Sequence, residues 1–241
     1  MKDDAGALKI KDGSGKDVTL TALNRSWWKG ETGRVWVDHN PLEAMATDES
    51  WLKTFGITKT DAIREIVGDR IPKKASWLEV GCSRGAHMSV IRGLGYGDLT
   101  GVDLCFEPLR DSDEGYVPVQ GDVSNLPIKS RSFDVVTTSG VLMLTGGPAV
   151  GMKKAVEEIG RVSNEWMLVT EPWHEKPMIC IHHLEDRNFP PTVVLPWDKY
   201  LTHHLTDFEI VNGGMWENLN NDPEKDTRLF PMSMVLMRRK Q

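Results

Sequence analysis

Apolar residues of this chain fall into short runs that alternate with amphipathic stretches. The run Ser76–Val80 leads into a glycine-bounded turn, and Met88, Ile91 and Leu94 follow at the spacing of one helix face. This pattern predicts a strand, a tight turn and the start of a helix. Such a junction offers backbone N–H groups to a ligand, because glycine leaves no side chain in the way.

Further along the chain, the same alternation predicts β-α-β units. Apolar strand patterns recur, and residues 152–162 carry helical spacing between two of them. The later predicted strands are 99–103, 117–120, 133–138, 166–170, 207–211 and 232–237. We therefore predict an α/β, Rossmann-like fold: a seven-stranded, mostly parallel sheet with an antiparallel last strand and helices on both faces.

The segment before the first strand predicts helices and a separate beginning. Pro41 opens a helix expected from Leu42 to Phe55, and Thr60 or Asp61 is expected to cap a second helix through Val67. Residues 1–23 are expected to form a polar tail or a small hairpin. Residues 24–241 then form one domain, with a cap-like segment at 24–70 and a long loop insertion at 172–205.

Acidic residues follow three of the predicted strands. Glu79 precedes the glycine turn, Asp103 ends the second strand, and Asp122 follows Gly121 after the third strand. In nucleotide-binding α/β folds the acid that ends the second strand takes the ribose hydroxyls. An Asp at the end of the third strand, such as Asp122, can reach an exocyclic amine of a base. The three acids together therefore predict a nucleoside site.

Several motifs in order resemble the class I S-adenosylmethionine-dependent methyltransferases. Glu79–Gly85 resembles the first motif, Asp103 the ribose-binding acid, Gly121–Val123 the adenine segment, and Ser132–Val136 the fourth strand. The resemblance implies S-adenosylmethionine (SAM) as cofactor and S-adenosylhomocysteine (SAH) as product. The cofactor-binding residues that it implies are Glu79, Gly81, Cys82, Ser83, Gly85, Asp103, Leu104, Gly121, Asp122, Val123 and Ser139.

A narrower resemblance is to methylases associated with pseudaminic acid biosynthesis. It rests on residues 28–33 with Asn40, on residues 140–142 with Pro148, and on residues 161–164. It implies a small-molecule acceptor, such as a sugar or nucleotide-sugar hydroxyl, and a protein acceptor is the main alternative. By resemblance we place Trp28 and Asn40 near the ligand, and we add His183 as a substrate contact.

The chemistry of methyl transfer directs attention to histidines near the fifth strand. Transfer to a hydroxyl requires a base, and histidine titrates near working pH. His174 lies three residues beyond Glu171, and His182 lies farther along the same connection. We name His174 and His182 as candidate bases and Glu171 as a residue that orients an imidazole or binds the acceptor. We expect no metal, because the spacing matches no ligand pattern.

The composition limits the partners and the cellular location that we expect for the protein. The net charge is −6 without a long Lys/Arg block, so we expect no nucleic-acid partner. No apolar stretch is long enough to cross a membrane, and three scattered cysteines predict no disulfide framework. The first residues lack a signal-peptide core, so we expect a cytoplasmic protein with a small-molecule substrate. The oligomeric state stays open.

Two other classes compete for the same turn. Gly81–Gly85 also reads Gly-x-Ser-x-Gly, the nucleophile elbow of α/β-hydrolases with Ser83 as nucleophile. That interpretation leaves Glu79, Asp103 and Asp122 without a role, and the upstream oxyanion motif is missing. NAD binding is disfavoured because Ser83 stands where the dinucleotide fingerprint has its middle glycine.

Overall fold

The computed structural model describes residues 7–12, 14–30, 47–110, 115–180, 183–184, 187–188, 190–220 and 230–241. Strands β1 (Lys9–Lys11) and β2 (Asp17–Thr19) pair as an antiparallel hairpin, and helix α1 (Leu20–Lys29) follows directly. The Thr19 hydroxyl accepts a hydrogen bond from the Ala22 N–H at 3.2 Å. This cap satisfies a backbone donor that the first helical turn leaves free.

Two further threonine caps set the helices before the central strand. Helix α2 (Asp48–Phe55) has Thr47 as its N-cap, and helix α3 (Lys59–Val67) has Thr58. The predicted start of the first helix, Leu42, lies outside the described residues, and the helix described there begins at Asp48. The predicted cap of the second helix at Thr60 or Asp61 is wrong, because the extended backbone of Thr58 places the cap two residues earlier.

The central part of the chain alternates strands and helices. Its elements, in chain order, are β3 (Ser76–Val80), α4 (Ala86–Gly93), β4 (Asp98–Asp103), α5 (Phe106–Arg110), β5 (Val117–Gln120), β6 (Phe133–Ser139), α6 (Gly151–Val162) and β7 (Ser163–Pro172). A 3-10 turn, Leu142–Leu144, follows β6. The strands β3 to β7 pair in parallel, as β-α-β units require.

The connection after β7 is structured. It contains β8 (Met178–Cys180), β9 (His183–Leu184), β10 (Arg187–Asn188), β11 (Thr192–Val194) and helix α7 (Trp197–His204). β8 pairs with β11 and β9 with β10, each antiparallel. Val193 and Leu195 reach the hydrophobic core, so the connection is anchored to the sheet. Two long strands follow it, β12 (Phe208–Trp216) and β13 (Met232–Arg239).

The seven main strands form one sheet in the order β12-β13-β7-β6-β3-β4-β5. The pairs among β3 to β7 are parallel, and β13 runs antiparallel to both β7 and β12. The predicted sheet is thus confirmed, including its antiparallel last strand. Reversal of strand order on either side of β3 creates a crevice at the carboxyl ends of β3 and its neighbours.

Each face of the sheet has its own hydrophobic core. On one face, α1, α6 and α7 cover β3 and β7, with side chains such as Leu20, Met152 and Trp197 fully buried. On the other face, α2, α3 and α4 contribute residues such as Ile63 and Met88. Helices therefore lie on both faces, as predicted. The two cores hold the strand ends in fixed positions relative to each other.

Candidate functional site

A pocket opens at the carboxyl ends of β3, β4, β5 and β6. The residues that line it come from four separate strand exits and from helix α1, which forms its roof. They include Thr21, Arg25, Trp28, Gly81, Ser83, Asp103, Leu104, Cys105, Gly121, Asp122, Val123, Ser124, Ser139, Gly140, Val141, Leu144 and Thr145. This is the crevice position at which ligands bind in open α/β sheets.

The turn after β3 depends on glycine. Gly81 and Gly85 have φ angles of +78° and +88°, a region that favours residues without a Cβ. A Cβ on Gly81 would lie 2.3 Å from Val141 Cγ2, and a Cβ on Gly85 would lie 2.3 Å from Tyr116 Cε1. Both glycines therefore allow close packing of the turn against neighbouring side chains. Gly81 lines the pocket, whereas Gly85 lies behind it as the N-cap of α4.

Asp103 ties the first two strand exits together. One carboxylate oxygen accepts the Ser83 N–H at 2.9 Å, and the other accepts the Cys105 N–H, also at 2.9 Å. Burial raises the pKa of Asp103, while these backbone donors act in the opposite direction. Each oxygen keeps a second lone pair, and Asp103 lines the pocket. The carboxylate is thus fixed in place with acceptor capacity left for a ligand.

Asp122 is held in a similar way at the end of β5. The Ser124 N–H and hydroxyl donate to one of its oxygens at 2.9 and 2.6 Å, and Arg25 of α1 forms an ion pair with the other. Burial alone would raise the pKa of Asp122. The Ser124 donors and the Arg25 charge outweigh it and keep this pKa below the ordinary value. Asp122 is therefore a carboxylate at neutral pH.

Helix α1 presents one face to the pocket through Thr21, Arg25 and Trp28, at the spacing of successive helical turns. Its other contacts fix it. The buried Asn24 amide donates to the Leu144 and Pro191 carbonyls at 2.9 and 3.0 Å. The Cys105 thiol donates to the Trp28 carbonyl at 3.0 Å. The resemblance already places Trp28 near the ligand, whereas Thr21 and Arg25 carry no motif that could mark them.

Glu171, a candidate catalytic residue, is fully buried in β7. Its carboxylate accepts three backbone N–H groups of the turn after β6, from Val141, Leu142 and Met143, at 2.9, 2.8 and 3.3 Å. Burial raises the pKa of Glu171 to about 7, although the three donors oppose this shift. Glu171 is thus engaged with the main chain of a pocket wall, and it does not line the pocket itself.

The candidate histidines are not gathered at the pocket. His174 has its Nδ1 2.8 Å from the Lys176 carbonyl and stacks edge-on against Phe230, and it is not a lining residue. For His183 only the backbone is described, in β9. His182 and Asn40 lie outside the described residues. Within the described residues, no histidine lines the pocket.

The remaining predicted cofactor residues divide into two groups. The first group lines the pocket and consists of Ser83, Leu104, Gly121, Val123 and Ser139. Glu79 and Cys82 are buried behind it, with relative exposures of 2% and 3%. Burial raises the pKa of the Cys82 thiol, which is the wrong direction for a reactive thiolate.

Ser83 tests the competing hydrolase interpretation. Its φ of +48° gives the strained strand-to-helix turn that a nucleophile elbow needs. However, its hydroxyl is buried and has no hydrogen-bond partner among the described residues. A serine nucleophile needs a base within hydrogen-bond distance. The turn therefore has the backbone conformation of a nucleophile elbow, but among the described residues no base is hydrogen-bonded to its serine.

Two negative results apply to the described ranges only. They contain no group of three or more His, Cys, Asp or Glu side chains arranged to hold a metal ion. None of the helices described is both long and apolar enough to cross a bilayer.

Comparisons with known proteins agree with this geometry. Residues 78–165, about a third of the chain, match the family profile described as "Methyltransferase domain". No curated protein sequence matches the chain. The matched segment runs from β3 to the start of β7, so it contains each of the four strand exits that line the pocket.

Solved structures share the fold at low sequence identity. A SAM-dependent methyltransferase from Methanosarcina mazei is 15% identical, with TM-score 0.57 over 72% of this chain and 96% of that one. Magnesium protoporphyrin IX methyltransferase from Synechocystis, with bound SAM, is 12% identical, with TM-score 0.60 over 92% and 98%.

A third similar structure is a chain in the Haloferax volcanii complex between the Trm112 methyltransferase activator and a methyltransferase. It is 14% identical, with TM-score 0.63 over 86% of this chain and 97% of that one. At such identities these likenesses establish the fold alone. The chain thus has the Rossmann-like fold that SAM-dependent methyltransferases share, and its residues 78–165 are similar to a methyltransferase domain.

Proposed function

We propose that this protein transfers a methyl group from SAM to a small-molecule acceptor, and that the pocket at the strand ends holds the adenosyl part of SAM. The observation that carries the proposal is the convergence of Gly81, Asp103, Asp122 and Ser139 on one pocket from four different strand exits. A chance match to one motif would not bring the other three to the same place.

The donor set of the pocket fits an adenosyl group. Asp103 has free acceptor lone pairs that suit the two ribose hydroxyls. We assign Asp122, at the end of β5, to the adenine amine, and we assign Val123 and Leu104, which also line the pocket, to apolar contact with the ring. Gly81 also lines the pocket, and the absence of a Cβ lets its turn pack against Val141. Bound SAM would supply an activated methyl group on a positively charged sulfur.

The protein's own contribution to the reaction is mainly alignment. An in-line displacement needs acceptor, methyl carbon and sulfur on one line, and holding them there lowers the entropic part of the barrier. The wall formed by Ser139, Gly140 and Val141 is fixed to β7 by the Glu171 carboxylate and by the Gly140 N–H, which donates to the Thr170 carbonyl at 2.9 Å. We propose that this wall sets the methyl end of the pocket.

The acceptor is proposed to be a sugar or nucleotide-sugar hydroxyl, on the basis of the narrower resemblance and the acidic net charge of −6. His174, His182 and His183 stay candidates for a base or a substrate contact, and Glu171 is better supported as a residue that positions the wall. The main competitor is a protein acceptor.

Calorimetry with SAM and SAH tests the cofactor proposal. We expect micromolar binding of at least one of them, and absence of binding by folded protein at millimolar ligand would refute the proposal. Incubation of a cell extract with SAM labelled at the methyl group then tests the acceptor. Label in the small-molecule fraction supports the proposal, and label in the protein fraction would favour the competitor.

A further inference from the structure

A second cavity runs along helix α1, beside the pocket at the strand ends. Its volume is about 510 Å³, which is within the range of small-molecule sites. Thr21 and Arg25 line both cavities. A group bound in the second cavity would therefore lie next to a ligand in the first, and one extended molecule could reach both.

The side chains that line this second cavity carry positive charge and hydrogen-bond donors. Two are cations, Arg25 and Lys29, and three have hydroxyl groups, Thr19, Thr21 and Ser26. None of the described residues in the lining has a carboxylate. Guanidinium and ammonium groups only donate hydrogen bonds, and a hydroxyl group can donate one as well. This combination of charge and donors is the one that binds an anion.

The two cations are neighbours on α1 and are unequally compensated. Arg25 and Lys29 are four residues apart, a spacing at which like charges destabilise a helix. Arg25 forms an ion pair with Asp122, whose carboxylate lines the first pocket and not the second. Lys29 has no hydrogen-bond or ion-pair partner in the part of the chain that the structure describes. An anion between the two side chains would offset their repulsion.

The charge of the surrounding segment has the same sign. Residues 7–30, which form the β1–β2 hairpin and α1, contain five Lys or Arg and only two Asp, whereas the whole chain has a net charge of −6. The cover of the pocket is thus basic on an otherwise acidic protein. Such a local excess of positive charge raises the concentration of anions beside it.

We propose that the second cavity binds a phosphate or diphosphate group of the methyl acceptor, so that the acceptor is a phosphorylated small molecule. Arg25 and Lys29 bind the anionic oxygens, and the Ser26 hydroxyl donates a further hydrogen bond. Two cations one helical turn apart match the multiple charges of a phosphate better than the single charge of a carboxylate. This inference rests on the proposed function, and within it favours a nucleotide-sugar over an unphosphorylated sugar.

Inorganic pyrophosphate is the probe, because it carries the anionic oxygens without a base that could enter the adenosyl pocket. It is titrated into ¹⁵N-labelled protein saturated with SAH, and amide chemical shifts report both its affinity and its location. We expect a Kd of about 1 mM or lower, with the largest shifts in residues 19–29 and with SAH still bound. The affinity should fall as the salt concentration rises.

Lys29→Gln removes one of the two charges and should weaken pyrophosphate binding about fivefold or more. Lys29→Arg keeps the charge and should bind pyrophosphate within about twofold of wild type. Lys9→Gln is the matched control, because Lys9 is an exposed lysine of the same basic segment that does not line the cavity. The control should also stay within about twofold of wild type, since a distant surface charge is screened.

Glucuronate separates a phosphate site from a carboxylate site, because it is a sugar with a single carboxylate. We expect it to bind the SAH-saturated protein at least about tenfold more weakly than pyrophosphate. Equal affinity for the two probes would overturn the assignment to phosphate. In a cell extract incubated with methyl-labelled SAM, the labelled small molecule should be retained by an anion-exchange resin, and a neutral labelled product would likewise overturn the inference.

Three further results would overturn the inference and leave the proposed function intact. They are wild type that binds SAH but no pyrophosphate, chemical shifts spread over exposed lysines throughout the protein, and equal losses of pyrophosphate affinity in Lys29→Gln and Lys9→Gln. Displacement of SAH by pyrophosphate would place the anion in the first pocket and would contradict the inference as well. Failure of wild type to bind SAM or SAH would instead overturn the proposed function itself.

Discussion

The two sides of the pocket use their acidic residues in opposite ways. At the ends of β4 and β5, Asp103 and Asp122 are held by neighbouring backbone and serine donors and still face the pocket. At the end of β7, Glu171 points into the protein and binds three N–H groups of the turn after β6. One side thus presents carboxylates to the pocket, and the other uses a carboxylate to hold the pocket wall.

This difference shows that the position of an acid at a strand end does not determine its use. An acid that follows the last strand residue can turn toward the crevice, as Asp122 does after Gly121. An acid within the strand is directed by the alternation of side chains to one face, as Glu171 is in β7. The two sides meet where Val141 occupies the space beside Gly81.

Gly81→Ala should break the pocket where its two sides meet, with the largest effect. The new Cβ would lie 2.3 Å from Val141 Cγ2, at a backbone φ of +78°. Overpacking and left-handed strain together cost about 2–5 kcal/mol. We expect loss of measurable SAH binding in calorimetry and a lower free energy of unfolding in urea.

Gly93→Ala is the matched control, because a Cβ at this position would have no neighbouring atom within 4 Å and the residue sits at the end of α4. Alanine has the higher helix propensity, so this variant should be as stable as wild type or slightly more so. Normal SAH binding by Gly81→Ala would show that the wall can move away from the turn.

Glu171→Gln tests the contact between the Glu171 carboxylate and the turn after β6. The quantity to follow is the pH dependence of the free energy of unfolding. The pKa of Glu171 is raised from 4.5 to about 7 in the folded protein. Folding therefore favours the protonated form of this side chain. The resulting stabilisation is complete below pH 4.5 and is lost as the pH rises through about 7. The amide variant does not titrate, so wild type should lose on the order of 3 kcal/mol relative to it over this range.

Unfolding in urea at a series of pH values measures this difference. Glu209→Gln, at an exposed position on β12, is the control and should run parallel to wild type. If the free energies of unfolding of Glu171→Gln and wild type depend on pH in the same way, the pKa of Glu171 is not raised. Hydrogen exchange of residues 140–144 should also be faster in the variant, since the amide can no longer accept all three N–H groups.

Asp103→Ala tests the ligand side directly. If the carboxylate accepts the ribose hydroxyls, its removal should cost about 1–3 kcal/mol of SAH binding, which is tenfold or more in Kd. Ser83→Ala should change SAH binding much less, because the Ser83 hydroxyl has no partner among the described residues. An esterase would show the reverse dependence in its activity, so assays of both variants on ester substrates complete the test.

The sequence places Gly81, Asp103 and Asp122 at the strand ends that line the pocket because its signals there are local. The turn at Gly81, the acid at Asp103 and the pair Gly121–Asp122 each lie within a few residues of a strand end, so their placement follows once the strands are recognised. The mostly parallel sheet is predicted from the same β-α-β periodicity. Caps are harder to predict, since Thr47 and Thr58 lie before the positions at which helical spacing becomes visible.

The roof and the wall could not be read from local patterns. Thr21 and Arg25 reach the pocket because α1 packs against residues 144 and 191, which are far away in the sequence. The sequence suggests a catalytic role for Glu171 because its strand ends at the crevice, but the register that directs its side chain to the β6 turn depends on tertiary packing.

Arg25→Gln should have the smallest effect, and it tests whether helix α1, the roof of the pocket, contacts the bound ligand. The ion pair with Asp122 involves an arginine side chain that is 50% exposed, so its loss should lower the free energy of unfolding by less than about 1 kcal/mol. Asp122 stays held by Ser124. We therefore expect SAH affinity within about threefold of wild type, with the difference smaller at high salt.

Arg64→Gln removes a comparable exposed ion pair, with Asp61 on α3, away from the pocket, and serves as the control. If Arg25→Gln instead loses tenfold or more in SAH affinity while the control does not, Arg25 contacts the ligand itself. Helix α1 would then contribute to binding as the strand ends do, and the ligand side would extend across the roof. A small effect leaves α1 as a cover, fixed by Asn24 and Trp28, over a site formed by the sheet.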